Sequence, residues 1–207
     1  MADVGRDVSM VLFDGFEVLD VFGPIELFSN VAPEPFTVTL IGPEAGLVHS
    51  AQNVEVVATE NYRTAVAGNI VMVPGGVGTR ALVNDHEFLA WLSGFASSAE
   101  WVTSVCTGSA VLAAAGLLEG YRATSNKMAF RWASEQGKNV TWVPQARWVE
   151  DRNRWTSSGV AAGMDMTAAL IRFLCGDEAA ERAAAITELE IQRDPNHDPF
   201  ARLYNLV

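Results

Sequence analysis

The stretch "EWVTSVCTGSAVLAAAGLL", Glu100 to Leu118, starts as an apolar β-branched run and ends as an alanine-rich helix pattern. Trp101–Val105 reads as a buried strand and Thr107–Leu118 as a helix. Cys106 stands at the corner between them. A strand running directly into a helix is the repeating unit of a parallel α/β sheet, so the pattern on either side of this corner decides the fold class.

Outward from the corner the same alternation recurs. Towards the N-terminus, Asn69–Val73 is a short strand ending in Pro74-Gly75-Gly76. The stretch after it places Phe88, Leu92 and Phe95 on one helical face. Val8–Phe13 and Phe36–Gly42 read as strands, and Val54–Ala58 as a strand towards an edge. Gly23-Pro24 is expected to open a short helix, since proline suits a first helical position. Towards the C-terminus, Met128–Gln136 reads as a helix. Val140–Val143, Ala146–Glu150 and Arg154–Ser157 read as short strands, the last two paired through "DRNR" as a hairpin. Gly163–Leu174 and Asp177–Gln192 are expected helices, followed by an irregular, then apolar, tail. The expected architecture is a doubly wound, mostly parallel sheet with helices on both faces. It forms one domain over 1–207, with a core of about 8–190 and a tail of 191–207.

The totals narrow the function classes. Of 207 residues, 49% are hydrophobic and 19% charged, a globular composition. The formal net charge of −11 repels phosphate backbones and anionic lipid surfaces, so neither nucleic acid nor membrane is an expected partner. The N-terminus lacks a basic flank followed by a long apolar run, and two widely spaced cysteines suggest no disulfide framework; a reducing cytoplasm is the expected location. A small molecule is the expected binding partner.

In open α/β sheets the ligand crevice lies beyond the carboxyl ends of the strands. Cys106 would sit there, with Ser104 and Gly108 two residues to either side, half a match to the small-x-nucleophile-x-small elbow. The helix that follows would turn N–H groups and a partial positive charge towards the sulfur and favour thiolate, the nucleophilic form. The position equally suits a small apolar residue closing a core strand. Cys175, at the C-terminal end of a helix, reads as core. None of the three histidines, His49, His86 and His197, falls beside the crevice by spacing.

Carboxylates are better placed. "DGFEVLDVFGP" follows the first strand and carries Asp14, Glu17 and Asp20. Asp20 lies between apolar neighbours, where a carboxyl has a raised pKa and can act as acid or base; it also suits a cap for the segment beginning at Pro24. Gly75 and Gly76 can turn N–H groups into the crevice and, with the Thr107 amide, form an anion hole; they also suit an ordinary glycine turn. Trp91, Trp101, Trp132 and Trp142 are expected in the core.

"LDVFGP", "VPGG", "TSVCTGSAVLAAAGLL" and "TSSGVAAGMD", in that order and spacing, resemble the ThiJ/PfpI superfamily, and most of all its isonitrile hydratase branch, from about Val8 to about Glu190. The resemblance implies a flavodoxin-like fold, Cys106 as the reactive cysteine and Asp20 as the acidic residue bonded to it. It implies Gly76 and Thr107 lining an anion pocket, and Ser158, Gly159 and Val160 packing beside the cysteine. It also implies a homodimer with the site near the interface, and a hydration needing no cofactor and no metal. Two positions depart from the pattern. Thr107 stands where PfpI-type members have histidine, which argues against peptidase-like or amidase-like chemistry. Asn126 stands where many relatives have histidine, and an amide cannot shuttle protons at neutral pH; Lys127 follows it. The alternatives are glyoxalase or deglycase action on 2-oxoaldehydes, a non-enzymatic cysteine redox or stress sensor, and a regulator carrying a DNA-reading domain, for which no room is expected after Val207.

Overall fold

A computed structural model describes residues 6–207. In chain order the strands are β1 (Asp7–Val11), β2 (Thr37–Gly42), β3 (Gly46–His49), β4 (Glu55–Ala58), β5 (Glu60–Asn61), β6 (Ile70–Val73), β7 (Trp101–Ser104), β8 (Arg122–Ala123), β9 (Thr141–Trp142), β10 (Trp148–Asp151) and β11 (Arg154–Ser157). The α-helices are α1 (Val18–Ser29), α2 (Thr79–Leu82), α3 (His86–Phe95), α4 (Gly108–Ala114), α5 (Phe130–Ala133), α6 (Ala162–Cys175), α7 (Asp177–Ile186) and α8 (Phe200–Leu203).

Seven strands form one sheet in the order β10-β11-β7-β6-β1-β2-β5. All neighbours run parallel except β10, which is antiparallel to β11. Strand β6 is buried along its whole length and β1 along all but its first residue, as expected where helices cover both faces. The fold is flavodoxin-like: strand order reverses between β1 and β6, which makes their carboxyl ends the switch point where a crevice opens. Among the described residues no helix is long and apolar enough to cross a membrane.

Several elements differ from the sequence-based expectation. Helix α1 starts at Val18 and carries Pro24 in its interior. The Gly-Pro pair marks a packing site here: a Cβ on Gly23 would lie 2.8 Å from Met164 Cγ on α6. Strand β4 pairs with β3 in a separate hairpin, and β5 takes the sheet edge. Helix α4 stops at Ala114, just before Gly116 turns to φ 76°. Helix α5 covers only the middle of its expected span. Helix α7 ends at Ile186, where the Thr187 hydroxyl donates to the carbonyls of Ala183 and Ala184 and closes the last turn. The tail contains α8, and just before it Asp198 Oδ1 accepts from the Phe200 N–H at 3.0 Å.

Candidate active site

The backbone at Cys106 is held from several directions. Its φ is +58°, a left-handed conformation that costs a non-glycine residue on the order of 1–3 kcal/mol. The Cys106 N–H donates to the Ser158 carbonyl at 3.2 Å. Its carbonyl accepts from the hydroxyls of Ser109 at 3.1 Å and Ser125 at 3.0 Å. The bend is tight because α4 begins against the end of β6: a Cβ on Gly108 would stand 2.1 Å from the Val73 carbonyl oxygen.

Asp20 is the third residue of α1 and fully buried. The loop before it is bonded to the end of β6, where the Glu17 N–H donates to the Gly75 carbonyl at 2.8 Å. In return the Gly75 N–H donates to Asp20 Oδ2 at 2.8 Å. The Cys106 side chain is among the groups that act on this carboxyl. Its Oδ1 is buried and has no hydrogen-bond partner among the described residues. Asp20 is therefore no helix cap. Burial pushes its pKa up to about 7; the Gly75 N–H pulls it down, the charge of Glu17 raises it, and the Cys106 side chain lowers it.

The same burial pushes the Cys106 thiol up, and the charge of Asp20 adds to the effect. Hydrogen bonds from the backbone and side chain of Thr107 and from the backbone of Val160 act the other way. The expected depressed thiol pKa is thus not found. Amides do face the sulfur at the start of α4, but loss of solvent outweighs them. With both groups short of water, the thiol needs a proton acceptor, and Asp20 is beside it.

The expected anion hole is rearranged. The Gly75 N–H is committed to Asp20, and the Gly76 N–H donates to Thr107 Oγ1 at 3.1 Å. The N–H groups that act on the sulfur come from Thr107 and from Val160. Gly76 still has to be glycine. Its φ is +126°, and a Cβ would sit 2.2 Å from the Gly15 carbonyl oxygen.

The loop Ser158–Gly159–Val160 lies beside the cysteine and borders a cavity of about 280 Å³. Asn126 lines the same cavity. Its Oδ1 accepts from the Ala129 N–H at 3.1 Å, and its amide presses on Gly159, where a Cβ would lie 2.1 Å from Nδ2. Asn126 is thus a wedge under the Val160 loop. Lys127 lines this cavity as well, as a buried and partnered charge that does not face water. It is buried, donates to Thr124 Oγ1 at 2.7 Å and the Ser125 carbonyl at 3.3 Å, and lies 4.0 Å from buried Asp198.

Sequence reasoning missed the contribution of the tail. Phe200 and Tyr204 also line the cavity beside Val160. The one signal for this was the apolar content of an otherwise polar C-terminus.

The family model described as DJ-1/PfpI matches residues 6–173. The chain is 31% identical over 190 residues to an isonitrile hydratase from Pseudomonas putida, covering 91% of this chain and 78% of that protein. It is 32% identical over 187 residues to the HTH-type transcriptional regulator GbdR of Pseudomonas aeruginosa, covering 86% of this chain and 50% of the regulator. A crystal structure of a ThiJ/PfpI family protein from Pseudomonas syringae superimposes with a TM-score of 0.80 at 31% identity, over 93% of this chain and 80% of that one. The strand order, the cysteine on its elbow and these matches together place the chain in the DJ-1/PfpI family.

Proposed function

We propose that the protein is a cysteine-dependent hydratase, a lyase-type enzyme that converts isonitriles or similar small electrophiles into N-substituted formamides. The observation carrying this reading is the buried Asp20 carboxyl, held by Gly75 and set against the Cys106 side chain, with a pKa of about 7. Similarity to an isonitrile hydratase supports the choice of substrate class.

The steps balance with two residues and water. Asp20 takes the thiol proton as the sulfur attacks the terminal isonitrile carbon. Asp20 then gives that proton to the same carbon, leaving a thioimidate in which sulfur, hydrogen and nitrogen share it. Water adds to the C=N carbon, its oxygen bonding to carbon and one proton passing to nitrogen. The C–S bond breaks as the carbonyl forms, and the hydroxyl proton returns to sulfur through Asp20. The N–H groups of Thr107 and Val160 favour the sulfur anion at attack and release. A general acid–base with a pKa near the working pH serves both proton transfers. Asn126 moves no proton in this scheme, so the departure from histidine there does not stop it.

The test is turnover of phenyl isonitrile by purified protein, read as N-phenylformamide by chromatography. Wild type is expected to form it, and Cys106→Ser to form none above the uncatalysed rate. Equal rates for the two proteins, or no formamide from wild type across aryl and alkyl isonitriles, would overturn the proposal.

A further inference from the structure

A second cavity lies away from the cysteine. It encloses about 620 Å³ between the end of β1 and the start of α3, within the roughly 300–1,000 Å³ span of small-molecule sites. None of Cys106, Asp20, Thr107 or Val160 lines it. One wall is aromatic: the rings of Tyr62 and Trp91 stack at 4.1 Å between centroids, and Phe88 lies 5.4 Å from Tyr62 and 5.5 Å from Trp91. The Tyr62 hydroxyl donates to the Leu12 carbonyl, which fixes that ring to the sheet.

The charge on this lining is lopsided. Asp14, Asp85 and Glu87 stand against Arg63, the one basic residue there among the described residues. Asp14 and Asp85 each use Oδ1 on backbone N–H groups, those of His49, and of Glu87 and Phe88. Their Oδ2 atoms carry no hydrogen bond among the described residues. After burial, the charges of Asp14 and Asp85 are what push the Tyr62 phenol up, so both carboxylates converge on the aromatic wall from different loops. Aromatic faces and carboxylates both attract a cation, and neither attracts an anion.

We propose that this cavity is a second ligand site, independent of Cys106, which takes a small organic ammonium: the apolar part lies on Tyr62, Phe88 and Trp91, and the positive group faces Asp14 and Asp85.

Three probes of one shape separate charge from hydrophobicity: phenethylammonium, 2-phenylethanol and 3-phenylpropionate. Titration by calorimetry, with Trp91 fluorescence as a second readout, is expected to give binding of the ammonium about tenfold or more tighter than the alcohol, with no binding of the carboxylate. In Asp14→Asn/Asp85→Asn, where each amide oxygen still accepts the same backbone N–H, affinity for the ammonium should fall to that of the alcohol. Ala81→Phe, on the exposed lip of the cavity, should abolish binding of both without touching a charge. Cys106→Ser should bind the ammonium as wild type does, which separates this site from the hydratase reading. Equal affinity for ammonium and alcohol, no ammonium binding at millimolar concentration, or ammonium binding that survives Ala81→Phe would each overturn the proposal.

Discussion

Asp20 is held by a backbone amide, excluded from water and set beside a sulfur, and these conditions make its charge matter for both catalysis and stability. If it takes the thiol proton, activity should rise with pH through about 7 as the carboxyl ionises. Asp20→Asn keeps an oxygen for the Gly75 N–H but cannot carry a proton. Its kcat should fall by roughly 10²–10⁴-fold, and the limb near pH 7 should vanish from the pH–rate profile. Stability follows with a definite sign. The folded pKa of about 7 lies above the unfolded 3.8, so folding favours the protonated acid. The stability this group contributes is present below about pH 4 and is lost as pH rises to about 7. Denaturant titration should therefore show Asp20→Asn gaining on wild type across that window and holding the gain above it. At the neighbouring position, Cys106→Gly relieves the φ of +58° whereas Cys106→Ala does not. Both lose activity, but the glycine variant should be more stable by about 1 kcal/mol.

At the scale of elements, the elbow works because β7, β6 and α4 approach with no space for a side chain between them. Gly108→Ala places a methyl 2.1 Å from the Val73 carbonyl, and the obstacle is backbone, which cannot rotate away. A loss of at least about 2 kcal/mol is expected from urea unfolding, with a larger fractional loss of activity than of folded protein at low urea, because the elbow must shift. Strands β6 and β7 and helices α3 and α6 were legible in the sequence, the strands as short β-branched runs and the helices by their apolar stripes, whereas the short strands β3, β5 and β8 were not. Element ends were less legible. Pro24 signals a helix start locally, but α1 already begins at Val18, and the neighbouring Gly23 packs against Met164 on α6. Val56 and Ala58 alternate as an edge strand would, yet they bury one face of a hairpin outside the main sheet.

Across the whole molecule the C-terminal tail is tied back over the cysteine side. Asp198 lies buried 4.0 Å from Lys127, the Asp198 N–H donates to the Gln145 carbonyl at 3.0 Å, and α8 then brings Phe200 and Tyr204 to the cavity beside Val160. Burial pulls the Lys127 pKa down to about 8, with Asp198 opposing that. Removing only the partner leaves an uncompensated buried cation, and Asp198→Ala should cost on the order of 3–5 kcal/mol. It should also speed proteolysis within residues 195–207, seen by mass spectrometry of timed digests.

By itself the sequence determined the alternation of strand and helix, the corner at Cys106 and the acidic residue in apolar company. Residue spacing and local hydrophobicity are sufficient for those. Only the tertiary structure decided which N–H groups reach the sulfur, that Gly75 serves Asp20 rather than an anion, and that the thiol sits above its ordinary pKa. It alone brought Lys127 to Asp198 and Tyr62 to Trp91. These depend on distances between segments far apart in the chain and on the water excluded between them, and a linear order of residues specifies neither until the sheet is assembled.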